Sequence, residues 1–262
     1  MLNKSKIEQY GDELYNALVT RTPVAPLTDR EAEITIEDAY QIQQRMIARR
    51  LEATGETIIG KKIGVTSKVV MDMLKVNQPD FGMMTSGMVF NEGESIDTGT
   101  MIAPRAEAEV AFVLKSDLTG PGVTAADVLR ATECVVPCFE IVDSRIQDWK
   151  IKIQDTVADN ASCGVLTLGG RRKSPRDIDL ALAGMVLEKN GEVISTSTGA
   201  AVQGSPVNAV AWLANTLGRL GIGLKAGEVI LSGSQSPLVP VKAGDSLVCS
   251  VGGLGSTSVR FI

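Results

Sequence analysis

The chain contains no histidine, and this absence excludes several kinds of catalytic site. Without an imidazole, the chain can build neither a Ser-His-Asp triad nor a Cys-His pair, and it cannot bind zinc or haem through histidine. A general base must therefore be a carboxylate, a lysine, a tyrosine or a cysteine. Any hard metal ion must be bound through oxygen atoms.

Other scarcities narrow the range of partners. Only 4% of the residues are aromatic and the formal net charge is -5, so the basic surface and stacking side chains of nucleic-acid-binding proteins are missing. No apolar run approaches the roughly 18 residues of a membrane span, and the N-terminus has no apolar signal segment. We therefore expect a cytoplasmic protein that binds neither nucleic acid nor membrane. The cysteines lack CxxC spacing, which favours reduced core residues over disulfides or a zinc site: Cys134, Cys138, Cys163 and Cys249.

Two regions of different periodicity follow one another along the chain, whose 44% hydrophobic and 22% charged residues are typical of a globular protein. In the first region, apolar side chains recur every three or four residues, residues 35–38 have the form of a capping box, and Gly55 can end a helix. Short β-branched and aliphatic runs separated by Gly and Pro follow. The pattern predicts an α+β fold with mixed sheets. We expect an N-terminal helical subdomain of residues 1–56 and a β-rich catalytic body of residues 57–262.

Local signals predict individual elements. Asn190 and Gly191 lie between two short strand-like runs, which indicates a hairpin. Helices are expected at residues 124–133 and 206–218, the second with Pro in its first turn. Residues 23–30 are expected to form a loop.

Three glutamates are the strongest candidates for metal ligands. The run beginning at Arg105 alternates and then becomes apolar, which predicts a strand with Glu107 and Glu109 on the same face. Glu140 follows an apolar run that must be buried, and a buried carboxylate has to be paired, protonated or metal-bound. Three carboxylates suit Mg²⁺ or Mn²⁺. Two alternatives remain open, namely an acidic sheet edge at the surface and an ion pair of Glu140 with Arg105 or Arg145.

Lysine and aspartate side chains in other segments can serve as acids or bases. Lys61 and Lys62 lie in an apolar strand and point to opposite faces, so one needs an anion inside the protein while the other extends to the surface. Asp80 lies in a Gln-Pro-Asp-Phe-Gly sequence, where it can be a turn former only. Polar clusters can either cap local structure or bind substrate; they lie at residues 143–145, 159–162 and 232–234.

Seven segments, in order along nearly the whole chain, carry a resemblance to a known family. They are residues 60–67 (GKKIGVTS), 78–82 (QPDFG), 104–109 (PRAEAE), 139–140 (FE), 143–149 (DSRIQDW), 157–162 (VADNAS) and 253–262 (GLGSTSVRFI). Together they resemble the 2-hydroxypenta-2,4-dienoate hydratases, also called 2-oxopent-4-enoate hydratases, of aromatic meta-cleavage pathways. These enzymes belong to the fumarylacetoacetate hydrolase superfamily.

The resemblance implies a mixed β-roll body with an N-terminal helical cap, assembled into a homo-oligomer. It also implies an Mg²⁺ or Mn²⁺ site on Glu107, Glu109 and Glu140. Lys62 matches the active-site lysine of the family, and Lys61 is then its structural neighbour. A sister branch, the 4-oxalocrotonate decarboxylases, tends to associate with these hydratases, so the decarboxylase is an expected partner.

The activity implied is the hydration of a small 2-hydroxy-dienoate, 2-hydroxypenta-2,4-dienoate, to 4-hydroxy-2-oxopentanoate. The decarboxylase branch typically lacks an aspartate in the segment of Asp80, so Asp80 favours hydration. We expect Lys62 and Asp80 to transfer protons. The alternatives are a 4-oxalocrotonate (2-oxo-3-hexenedioate) decarboxylase and a non-catalytic partner subunit of that enzyme. The expected substrate-binding residues are Arg145, Asn160, Ser162 and Ser234.

Overall fold

A computed structural model describes residues 1–262 and begins with helices. Thr35 and Asp38 form the expected capping box, in which each side chain accepts a hydrogen bond from the other residue's backbone N–H. Gly55 ends the same helix in the left-handed conformation, at φ 71°. These predictions are confirmed, but the segment expected as a loop contains a short helix. The helices of this region are α1 (Lys4–Thr20), α2 (Leu27–Arg30) and α3 (Ile36–Thr54).

The rest of the chain forms two mixed sheets with four further helices, which confirms the α+β class. The strands are β1 (Ile58–Gly64), β2 (Asp80–Thr85), β3 (Val89–Asn91), β4 (Ser95–Ile96), β5 (Arg105–Leu114), β6 (Thr132–Val142), β7 (Cys163–Leu168), β8 (Gly184–Lys189), β9 (Glu192–Thr198), β10 (Val229–Leu231), β11 (Val239–Pro240), β12 (Ser246–Val251) and β13 (Gly255–Phe261). The helices are α4 (Lys68–Leu74), α5 (Ala125–Ala131), α6 (Ile153–Ala158) and α7 (Pro206–Gly218).

The larger sheet has the order β2-β1-β10-β5-β6-β7-β3, with β11 also paired to β5, and the smaller has the order β4-β13-β12-β8-β9. β1 and β10 run parallel, whereas β5 and β6 run antiparallel over nearly their whole length. Both of these long strands lie inside the larger sheet and are almost entirely buried. Side chains from β5 and β6 can therefore meet in the interior of the protein.

Most local predictions in the body are confirmed. Asn190 and Gly191, at φ 54° and 84°, join β8 to β9 in a tight hairpin turn. α7 has the expected bounds, but α5 ends early because Thr132 already begins β6. α4 was not predicted, since none of its residues is buried and it has no apolar stripe facing a core.

The N-terminal helices share a core with the body. Leu14 and Ile42 belong to a cluster that also contains Ile146 and Val157 from the body. Gln43, buried in α3, donates hydrogen bonds to the carbonyl oxygens of Phe81 and Val157 at 2.9 and 3.0 Å. The helices thus cover the body as a cap. The division into residues 1–56 and 57–262 stays a prediction.

The cysteines agree with one further expectation. All four cysteines are free and buried, as expected of core residues. None of the helices combines the length and the apolar character needed to cross a bilayer.

Candidate active site

Three glutamate side chains meet between β5 and β6. Glu107 lies directly opposite Glu140 in the strand pairing, and Glu109 points to the same face two residues further along β5. One carboxylate oxygen from each residue lies within 4.8 Å of the others. Glu109 and Glu140 are fully buried. The predicted convergence of the three acids is confirmed, and an acidic edge at the surface is excluded.

The donor set of this cluster fits a divalent cation. The backbone N–H of Gly233 donates to Glu109 Oε2 at 2.8 Å, but Glu109 Oε1 and Glu140 Oε2 have no hydrogen-bond partner. Buried oxygens without partners are costly unless something positive satisfies them. Burial, helped by repulsion from neighbouring carboxylates that include Asp80, raises the pKa of all three carboxyls, that of Glu107 to about 7. Closely spaced carboxylate oxygens are the ligands that hard cations prefer.

Lys62 is the positively charged side chain that contacts the glutamate cluster. Its Nζ lies 3.2 Å from Glu140 Oε1, and the residue is only 3% exposed. Burial acts to lower the pKa of Lys62, but the facing carboxylates, led by those of Glu140 and Glu107, outweigh it and raise the pKa. Lys62 is therefore the inward lysine of the pair. Lys61 does not extend to the surface as expected, because it is buried in an ion pair with Glu228.

Asp80 adjoins Lys62 and is more than a turn former. It begins β2, opposite Gly64, and is 2% exposed with Oδ1 unpartnered. Burial raises its pKa, and Lys62 opposes that rise. A Cβ added at Gly64 would lie 2.3 Å from Asp80 Oδ1 and 3.4 Å from Lys62 Nζ. Glycine at this position thus leaves the space in which the carboxyl and the ammonium groups approach each other.

A cavity of about 440 Å³ opens next to these groups. Lys62, Asp80 and Glu107 lie in its polar part. The apolar part of the wall includes side chains from α4 and from the segments after β6 and before β11. Such a cavity suits a small anion with an unsaturated carbon chain. Its apolar lining is Val65, Val70, Met73, Leu74, Val142, Trp149, Ile151, Ala161, Pro237 and Leu238.

The expectation that Arg145 binds substrate is corrected by the structure. Arg145 is fully buried and absent from the wall of this cavity. Its Nε donates to Asp159 Oδ1, and its terminal nitrogens donate to the carbonyl oxygens of Asp143, Cys163 and Asp159. With all its nitrogens bonded inside the protein, Arg145 has none left for a ligand. Glu140 pairs with neither Arg145 nor Arg105, so the alternative ion pairs are also wrong.

The other expected substrate contacts divide into two groups. Asn160 is a supporting residue, because its side-chain amide bonds the backbone N–H and C=O of Met83 in β2. Ser162 and Ser234 do line the cavity. Their hydroxyls bond Thr156 at 3.2 Å and the carbonyl of Ser236 at 2.7 Å. Their contact with substrate stays a prediction.

Two cavity residues were missed by sequence reasoning. Arg105 lies on the same strand face as Glu107 and Glu109 and lines the cavity, with its guanidinium 4.3 Å from the ring centre of Trp149. The alternation of β5 already places Arg105 on this face. Trp149 carried no such signal, since its position depends on how the loop after β6 folds back. The small-residue loop at 232–234, which the sequence allowed either to cap local structure or to bind substrate, donates the backbone N–H of Gly233 to Glu109.

The chain matches a known protein family over most of its length. The family described as Fumarylacetoacetate (FAA) hydrolase C-terminal matches residues 61–262. The chain belongs to the fumarylacetoacetate hydrolase family. The match begins at Lys61 and so includes every site residue described above. The matched region therefore covers almost all of the β-rich body of this family member.

Individual relatives extend over the helical cap as well. This family member is 58% identical over 263 residues to a 2-hydroxyhexa-2,4-dienoate hydratase of Comamonas testosteroni, covering 100% of this chain and 99% of that protein. It is 64% identical over 222 residues to a 2-hydroxypent-2,4-dienoate hydratase of Pseudomonas putida, covering 84% and 100%. A solved structure, 4-oxalocrotonate decarboxylase from Pseudomonas putida G7 complexed with magnesium and adipate, has a TM-score of 0.96 and 38% identity, covering 100% and 99%.

Replacing Arg145 tests its structural role. In Arg145→Met, Asp159 stays buried without its partner, so we expect the free energy of unfolding to fall by about 3–5 kcal/mol. Urea denaturation near pH 7 measures this change. Arg172→Met, at an exposed position, is the control and should change stability by no more than about 0.5 kcal/mol. Unchanged stability together with weaker substrate binding would restore the original prediction.

The raised carboxyl pKa values predict pH-dependent metal binding. Because the Glu107 carboxyl, with its pKa of about 7, holds a proton below neutral pH, a cation must displace that proton. We expect the Mg²⁺ affinity to rise about tenfold between pH ~6 and ~8 from this group alone. Since a raised carboxyl pKa stabilises the fold only at low pH, the metal-free protein should also lose stability as the pH rises through about 7. Calorimetry in buffers of different ionisation enthalpy measures both affinity and proton release; a pH-independent affinity without proton release contradicts the assignment.

Proposed function

We propose that this chain is a metal-dependent hydratase that converts 2-hydroxypenta-2,4-dienoate to 4-hydroxy-2-oxopentanoate. The observation that carries the proposal is the convergence of three glutamates beside a cavity whose wall includes Glu107, Lys62 and Asp80. The chain is 58% identical over its whole length to one dienoate hydratase and 64% identical over 84% of its length to another. This reaction is a step in the catabolism of aromatic compounds by meta-cleavage.

The cofactor proposed is Mg²⁺ or Mn²⁺, held by Glu107, Glu109 and Glu140. Magnesium in the decarboxylase neighbour supports this choice. When bound, such an ion would act as a Lewis acid that polarises the substrate. The remaining steps depend on side chains of the chain itself.

The reaction divides into two proton-balanced steps. First, the 2-hydroxyl gives up its proton and C5 gains one, which moves the double bonds and yields 2-oxopent-3-enoate. Next, water forms a bond to C4, loses one proton, and C3 gains one. Both steps thus need a group that accepts a proton and returns one to carbon.

Of the two residues expected to transfer protons, Asp80 is proposed to do so, whereas Lys62 is proposed to stabilise charge instead. The raised pKa of Asp80 lets its carboxyl take up and release a proton closer to neutral pH than an exposed aspartate would. Lys62 stays positively charged among its carboxylates and stabilises negative charge that develops on the substrate oxygen. Ser162 and Ser234 are proposed to bind the substrate through their hydroxyls, and the Ser234 hydroxyl would first have to turn away from the carbonyl of Ser236. The apolar wall packs against its carbon chain.

The runner-up activity is decarboxylation of 2-oxo-3-hexenedioate. It is favoured by one observation, the TM-score of 0.96 to 4-oxalocrotonate decarboxylase. Comparing the rates of CO₂ release from 2-oxo-3-hexenedioate and of dienoate hydration separates the two activities. A non-catalytic partner subunit is disfavoured because the acids and Lys62 are all present. A homo-oligomer, a complex with the decarboxylase and a cytoplasmic location stay predictions.

Substitution of one glutamate of the cluster by glutamine tests the metal-dependent function. Glu140→Gln takes away one negative charge from the centre of the cluster, so Mg²⁺-dependent loss of dienoate absorbance should fall by at least about 100-fold. Glu133→Gln is a matched control, because Glu133 lies on the same strand but is exposed, and it should keep wild-type activity. Full activity of Glu140→Gln, or no Mg²⁺-dependent turnover in the wild type, would refute the proposal.

A second substitution tests the proton transfer. Asp80→Asn preserves the size of the side chain but removes the base, so kcat for hydration should fall by about 10²–10⁴-fold. The Mg²⁺ affinity should stay within a few-fold, since Asp80 is not one of the three ligands. The control is Asp72→Asn on the exposed α4. An unchanged kcat in Asp80→Asn would reduce Asp80 to a structural residue.

A further inference from the structure

Arg105 has a position that its role in the fold does not explain. It is the first residue of β5 and lies two residues before Glu107 on the same strand face. The side chain is half-buried and lines the cavity that holds Lys62 and Asp80. Since residues along a strand are about 3.3–3.4 Å apart, the guanidinium can reach a group bound beside the glutamate cluster.

The guanidinium of Arg105 has no anionic partner in the protein. No carboxylate lies within 4.0 Å of it, and its side chain takes part in none of the protein's hydrogen bonds. Its contact is the ring of Trp149, 4.3 Å away, and the Trp149 indole is fixed by a 3.0 Å hydrogen bond to the carbonyl of Ala103. Stacking on a ring face orients a guanidinium and leaves its N–H edge free for a carboxylate.

The charge balance of the site indicates a function for the unpaired guanidinium of Arg105. The three glutamates, one divalent ion and Lys62 together carry no net charge, and an ionised Asp80 in the same cavity makes the total -1. A monoanionic substrate would therefore meet no net attraction unless another cation faced the cavity. Arg145 cannot supply it, because all its nitrogens are bonded within the protein. Arg105 is the arginine that lines the cavity.

We propose that Arg105 binds the carboxylate of the substrate, next to the glutamate cluster, and so selects 2-oxo and 2-hydroxy acids over their neutral analogues. This inference rests on the proposed function, which supplies the anionic substrate. Trp149 holds the guanidinium in the orientation needed for a planar, two-point contact with the carboxylate.

Kinetics and inhibitor binding test the assignment. In Arg105→Met, we expect KM for the dienoate to rise at least tenfold, with a smaller change in kcat, and Arg105→Lys should recover part of the loss. The Kd of oxalate, measured by calorimetry on the Mg²⁺-loaded protein, should weaken to a similar degree. The Mg²⁺ affinity and the melting temperature should stay near wild type. Arg172→Met is the exposed control.

Each other outcome is decisive. Oxalate binding within twofold of wild type in Arg105→Met would overturn the inference, as would a loss confined to adipate, which would place Arg105 at the distal end of a dicarboxylate. If oxalate binding weakens but the wild type does not hydrate the dienoate, the anion site stands and the proposed function fails. Arg105→Lys guards against a purely structural effect, because it keeps the charge.

Discussion

The repulsion among three closely spaced carboxylates, two of them fully buried, is the constraint on which the rest of this site depends. Burying an ionised carboxylate costs several kcal/mol unless an opposite charge is present. Here Glu107, Glu109 and Glu140 lie together, and Lys62 is the one cation in direct contact with them. The raised pKa values of the carboxyls show that one lysine does not compensate the cluster. A divalent cation would complete the compensation.

The fold supports this arrangement from several sides. Pairing of β5 with β6 fixes Glu107 opposite Glu140, and the loop after β10 turns the N–H of Gly233 onto Glu109. β1 and β2 bring Lys62 and Asp80 to the same point, which the missing side chain of Gly64 keeps open. The same strand pairings that assemble the glutamate cluster therefore also position Lys62 and Asp80 beside it. The proposed metal binding and the proposed proton transfer would both depend on these backbone contacts.

Sequence reasoning succeeded where the deciding interaction is local. Alternation placed Glu107 and Glu109 on one face, and the apolar run before Glu140 required its burial. It failed where the deciding partner is distant along the chain. Arg145 was assigned to substrate, but the buried Asp159, fourteen residues away, takes its guanidinium. The pairing of Lys62 with Glu140 depends on strand order, which periodicity does not specify. α4 has no buried face and so left no pattern.

Anomalous diffraction from crystals grown with excess Mn²⁺ tests the central claim most directly. The charge compensation described above predicts one strong peak within about 2.5 Å of a carboxylate oxygen from each of Glu107, Glu109 and Glu140. Lys62 Nζ should then lie beside the same site without contacting the ion. No peak at the cluster, or peaks only at other acidic residues, would contradict the claim.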